Sequence, residues 1–213
     1  MRRFVSEAVG TFFLVFAGTG AIIINDISKG AITHLGIAMT FGLIVTVLIY
    51  SFGRISGAHF NPVVTLGFWL SKRFDSKDVL PYLGSQFIGA IAASSLLYIL
   101  FPVHSSLGAT MPAGSAMQSL ILETILTLLL VLVILNVTSG SKEEGLLAGV
   151  AIGGAVGLEA LFAGPICGAS MNPVRSLAPA IISGQMQGIW IYMAGPFLGA
   201  FLAVGLHKLL KKN

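Results

Sequence analysis

A seven-residue stretch that occurs twice constrains the fold of this chain more than any other feature. The first copy is Gly57-Ala58-His59-Phe60-Asn61-Pro62-Val63, and the second is Gly168-Ala169-Ser170-Met171-Asn172-Pro173-Val174. Each Asn-Pro pair opens a short apolar stretch, 60–71 and 171–182. About 12 residues make roughly 18 Å of helix, too short to cross a bilayer. Asn is a preferred N-cap, and Pro is pre-organised for the first helical position. Each copy therefore predicts a loop that drops into a half-helix beginning at the Asn. Two half-helices meeting by their N-termini would bring two Asn amides and two positive dipole ends to one point in a membrane.

The remaining chain supplies the frame for such a point. Six stretches, 4–25, 35–53, 79–101, 117–138, 145–163 and 186–206, reach roughly the 20 residues needed to span hydrocarbon. Only 9% of residues are charged and 55% are hydrophobic, whereas a soluble domain carries about a quarter charged residues. The chain is thus expected to be integral to a lipid bilayer. Gly149, Gly153 and Gly157 recur every fourth residue, as do Gly195 and Gly199. That spacing lets helix backbones approach closely and reads as ordinary bundle packing.

The net charge of +4 is no nucleic-acid signal, because the basic residues sit in loops and at the termini. A single cysteine excludes an internal disulfide framework and a multi-cysteine metal site. No nucleophile–base set, phosphate loop or metal-ligand spacing is present, so no enzyme activity, cofactor or metal is expected. His34, His104 and His207 fall near loop ends without a constellation. Only three residues precede the first apolar run, and no signal-type cleavage site follows it, so that run is expected to be retained. Arg2, Arg3, Arg54, Lys72, Arg73, Lys77, Lys142, Lys208, Lys211 and Lys212 fall on one side if both half-helices dip in and return, and the opposite side holds Lys29. The positive-inside rule then places both termini in the cytoplasm.

An internal repeat runs through the chain. Glu7, Thr11, Leu14 and Val15 match Glu123, Thr127, Leu130 and Val131; Tyr82, Phe87, Gly89 and Ala90 match Tyr192, Phe197, Gly199 and Ala200. The offset drifts from 116 (Glu7 to Glu123) to 110 (Tyr82 to Tyr192), so the halves are collinear. Three spans per half make the second half insert upside down relative to the first. The expectation is one channel domain over 1–213, all-α, with six transmembrane helices, two re-entrant half-helices and inverted repeats at about 1–103 and 116–213. Such repeats place their site at the midplane.

Several polar residues carry the chemistry of that site. Glu7 and Glu123 are carboxyl groups inside spans at equivalent points. A buried ionisable group in a membrane is a functional candidate by default. The alternative is that each accepts hydrogen bonds from the irregular backbone of a re-entrant loop, and the twinning favours this role. Asn61 and Asn172 are predicted to cap with their oxygens and leave the amide NH₂ free to donate into a pore. The loops before them, Gly57, Ala58 and His59, and Gly168, Ala169 and Ser170, would expose successive carbonyls to a permeant. Arg175, the only charge in the second half-helix, is read as a pore-lining donor and a barrier to cations. Glu159 either bonds an outer loop or sits near Arg175. Cys167 is a small packed residue or, less favoured, a mercury-sensitive pore thiol.

These residues resemble the major intrinsic protein family, the aquaporins and aquaglyceroporins, over essentially the whole chain. The carrying stretches are Ser56–Gly67 and Gly164–Leu177, with a Glu in the first span of each half. The run Ala163-Gly164-Pro165-Ile166-Cys167-Gly168-Ala169-Ser170-Met171-Asn172-Pro173 is similar to the nodulin-like intrinsic proteins (NIP) and their bacterial relatives. The family's signature is Asn-Pro-Ala; Val63 and Val174 depart from it in both copies, and the extra methyls are expected to narrow or reshape the waist below the Asn pair.

The resemblance also implies an outer constriction made of Phe41, Ala160, Ala169 and Arg175, taken by position relative to Asn61 and Asn172. Water-specific members have His at the Ala160 position, so this opening resembles the wider, solute-conducting kind. Ser176 and Ala180 instead resemble water channels, a mixture seen in nodulin-like members. The resemblance implies a right-handed bundle, a homotetramer with one pore per subunit, and placement in the cell (plasma or inner) membrane. It implies passive passage of water and small uncharged solutes: glycerol, other polyols, urea, and neutral metalloid acids such as boric or arsenous acid. The alternatives are a strict water channel, a secondary transporter with inverted repeats, and a junction or scaffold protein.

Overall fold

The computed structural model describes residues 1–139 and 142–210, the side chains of 142–144 excepted. Lys211, Lys212 and the Lys142 side chain, three of the cations in the orientation argument, lie outside the described residues. Among the described residues there are eight helices and no strand: α1 Arg2–Ile27, α2 Thr33–Ser56, α3 Pro62–Leu70, α4 Ser76–Leu100, α5 Ala116–Val137, α6 Lys142–Cys167, α7 Pro173–Ser183 and α8 Ile189–Leu210. Helices α1, α2, α4, α5, α6 and α8 are long and apolar enough to cross a membrane.

The short helices are α3, with 9 residues, and α7, with 11. Each starts at its Pro, and the preceding Asn is the extended N-cap. The side-chain oxygen of Asn61 accepts from Val63 N at 3.1 Å, and that of Asn172 accepts from Val174 N at 3.2 Å.

The packing pairs the same elements in each half: α1 lies on α2 and α4, and α5 lies on α6 and α8. The half-helices also reach across, α3 to α8 and α7 to α4. The halves meet along α2 and α6, where a Cβ on Gly42 would sit 2.8 Å from the Gly153 carbonyl. Only glycines permit that approach, which brings the inner faces of α2 and α6 together around the two Asn-capped loops.

Candidate pore

The two loops have the same irregular backbone. Gly57, Ala58 and Phe60 take φ of 86°, 53° and 48°; Gly168, Ala169 and Met171 take 84°, 43° and 53°. The left-handed region costs a non-glycine residue about 1–2 kcal/mol, so neighbouring groups must hold Ala58, Phe60, Ala169 and Met171 in place.

The paired acids do so. Glu7 Oε1 accepts from His59 N at 3.0 Å and Ser56 Oγ at 2.7 Å; Oε2 accepts from Phe60 N and Gln86 Nε2, both at 2.8 Å. Glu123 Oε1 accepts from Ser170 N at 2.8 Å, and Oε2 from Met171 N at 2.9 Å. Both side chains are buried and neither lines the central cavity.

With the N–H groups turned to the acids, the carbonyls are left over. Those of Gly57, Ala58, His59, Gly168, Ala169 and Ser170 accept no hydrogen bond from any described residue. Gly57, Ala58, His59, Ala169 and Ser170 line the cavity, whereas Gly168 packs against Thr110 instead.

The Asn amides differ from expectation. Asn61 Nδ2 donates to Met171 O at 2.8 Å, and Asn172 Nδ2 donates to Phe60 O at 2.9 Å. One hydrogen of each NH₂ therefore stitches the two loops together and is not free. Each amide keeps a second hydrogen, and both side chains border the cavity.

The cavity is elongated. Its α6 wall runs from Ala148 through Ile152 and Val156 to Ala160, roughly 18 Å of helix. Phe41, Ala160, Ala169 and Arg175 all line it. Arg175 is 2% exposed, its guanidinium carbon is 4.9 Å from the Phe41 ring centroid, and its Nη1 donates to Gly108 O at 3.0 Å. The cation is thus held against an aromatic face and a loop carbonyl at one level of the cavity.

Comparison with known proteins agrees with this geometry. The family model described as major intrinsic protein matches residues 1–207. The chain belongs to the major intrinsic protein family. It is 44% identical over 212 residues to aquaporin NIP1-1 of Oryza sativa subsp. japonica, covering 99% of this chain and 75% of that protein. It is 41% identical to nodulin-26 of Glycine max over 212 residues, 99% of this chain and 78% of that one. An X-ray structure of the aquaglyceroporin from Plasmodium falciparum superposes with a TM-score of 0.82 at 25% identity, covering 98% of this chain and 96% of that one. This major intrinsic protein is accordingly an all-α, multi-pass membrane protein with the aquaporin-like fold.

Two residues of this major intrinsic protein lie where the sequence did not put them. The Val63 and Val174 side chains do not line the cavity, so their methyls do not narrow its waist. Val63 is fully buried against Val131, Leu135, Ala200, Ala203 and Val204, and Val174 packs in the main apolar core. The physical reason is that the first helical residue after the Asn-Pro pair faces the neighbouring helices. Val63→Ala should therefore lower thermal stability by about 1–2 kcal/mol, the loss of two methyl groups from a packed site. Flux per folded channel, measured by stopped-flow, should stay within twofold.

Glu159 bonds neither an outer loop nor Arg175. It is fully buried, and neither carboxyl oxygen has a hydrogen-bond partner among the described residues. Cys167 is buried off the cavity, its thiol 3.5 Å from Ala163 O, and in the repeat it stands opposite Ser56.

Other contributors escaped the sequence. Gln86 sits in α4 and bonds both Glu7 and Thr65; a lone amide in an apolar span was the available signal. The Gly108 carbonyl and Thr110 come from a loop with no pattern to mark them.

Proposed function

We propose that the chain is a passive transmembrane channel for water and small uncharged solutes such as glycerol. The observation that carries this is the pairing of the two Asn caps at one cavity, beside two ladders of carbonyls that no described residue uses. Donors at the centre and acceptors along the approach suit a neutral, hydrogen-bonding permeant that sheds its water shell. The names of the matched relatives, aquaporins and an aquaglyceroporin, support the same class.

Within this proposal Phe41, Ala160, Ala169 and Arg175 form the selectivity filter, and Ala160 leaves it wide enough for glycerol, urea and boric or arsenous acid. The chain forms one channel domain of two inverted halves, assembles as a homotetramer in the cell membrane and keeps both termini in the cytoplasm. A secondary transporter would need an acid in its path. Among the described residues no Asp or Glu lines the cavity, and Glu159 is buried away from it.

Purified protein in proteoliposomes should pass water, glycerol, urea and boric acid down their gradients without saturation in stopped-flow light scattering. It should carry no proton or cation current above lipid background, because two half-helix N-termini and Arg175 set a positive barrier. A sustained cation current, or uphill solute movement driven by an ion gradient, would overturn the proposal.

A further inference from the structure

Pro165 lies inside α6. Proline has no N–H, so the carbonyl four residues earlier, Leu161, loses its helical donor. Another helix supplies the replacement: His34 Nε2 lies 2.7 Å from Leu161 O. The imidazole can donate there as the neutral Nε2–H tautomer or as the cation. Gly164 makes room for it, since a Cβ at that position would stand 2.9 Å from His34 Cε1.

The place of this bond matters. Leu161 is the residue after Ala160, and His34 lies seven residues before Phe41, two turns along the same face of α2. The bond therefore ties α2 to α6 next to the pair of walls formed by Phe41 and Ala160. The repeat does not twin the proline break, although Tyr50 Oη donates to Leu146 O at 2.9 Å between the same two helices. Leu161, Gly164 and Pro165 stand opposite Tyr50, Gly53 and Arg54 in the register that pairs Ile55 with Ile166. Glu7 and Glu123, and the two Asn-Pro pairs, hold the fold and occur in both halves. The proline break and its His34 donor occur once, joining the two halves beside the filter.

We propose that His34 is a positioning residue for selectivity: by donating to Leu161 O at the proline break, it fixes the distance between the Ala160 and Phe41 walls. This rests on the proposal that Ala160 lines the filter. Without the bond, the Leu161 carbonyl loses its side-chain donor among the described residues and the 160–163 segment can shift. Flux through a fluctuating constriction is dominated by its widest excursions, and most so for the bulkiest permeant. His34 thus governs size discrimination more than water passage.

The test compares His34→Ala, His34→Gln, Gly164→Ala, Pro165→Ala and the His34→Ala/Pro165→Ala double variant in proteoliposomes, normalised to incorporated channel. Water, glycerol and the five-carbon polyol ribitol are the probes. His34→Ala should raise the ribitol-to-glycerol permeability ratio at least threefold and leave water within twofold. Gly164→Ala, which displaces the imidazole without removing it, should shift the ratio the same way. His34→Gln, whose amide reaches the Nε2 position, should restore it. Pro165→Ala returns an N–H to Leu161, so His34→Ala should be silent on that background.

An unchanged ratio in His34→Ala, or an equal shift with and without Pro165, overturns the proposal. Ala160→His is run alongside. If it changes the glycerol-to-water ratio and His34→Ala leaves size discrimination intact, the inference on His34 fails alone. If neither changes selectivity, the filter assignment fails and this inference with it.

Discussion

Glu7→Gln should remove most of the folded protein. All four neighbours of the Glu7 carboxylate are donors: Ser56 Oγ, His59 N, Phe60 N and Gln86 Nε2. A glutamine keeps one acceptor oxygen and turns an NH₂ toward the other two donors. Two charge-assisted bonds are lost, at about 1.5–3 kcal/mol each, so the expected cost is about 3–6 kcal/mol. That is a large part of a typical stability of about 5–15 kcal/mol. It also falls on Ala58 and Phe60, which the loop holds in left-handed backbone. Glu123 accepts the two backbone donors Ser170 N and Met171 N, so Glu123→Gln should cost about half as much. The measurement is the monodisperse yield in detergent for each variant, with water flux per folded channel as the second readout. Normal yield with abolished flux would assign these acids to transport instead of loop anchoring.

How much of this was legible in the sequence depends on whether the signal was local. Asn61-Pro62 and Asn172-Pro173 announce two helix starts through cap and proline chemistry, and the structure has them at those residues. The six long helices follow from run length alone. Phe41 and Ala160 came from position counting within a resemblance, and both border the cavity. What failed to show was the direction of side chains on helices that are apolar all round. Nothing in the sequence distinguishes Val64, which lines the cavity, from Val63, which packs away from it. Hydrogen bonds between distant segments were equally silent. The amide of Asn61 reaches Met171, 110 residues away, and His34 reaches Leu161, 127 away. Glu159 marks the opposite case: a conspicuous charge in a span that has no bonding partner among the described residues.

Ala160→His should reduce glycerol and urea permeability tenfold or more. Ala160, Phe41, Ala169 and Arg175 border the same cavity, and Arg175 is held over the Phe41 ring with its centre 4.9 Å from the centroid. Two of the four walls are therefore tied to each other, and Ala160 supplies only a methyl group on the α6 side. An imidazole adds about five heavy atoms to that wall and one further donor and acceptor. Glycerol and urea are wider than water and touch every wall of the opening at once. A tenfold loss corresponds to about 1.4 kcal/mol of added barrier, a modest steric demand for a ring placed in their path. Water passes in single file and needs only a few polar groups, which His supplies, so its permeability should change only a few-fold. The decisive quantity is the glycerol-to-water ratio in matched proteoliposomes, normalised to incorporated protein. An unchanged ratio would remove Ala160 from the filter. Selectivity would then have to arise deeper in the cavity, where Val64, Leu14 and Leu130 line the wall beside the Asn pair.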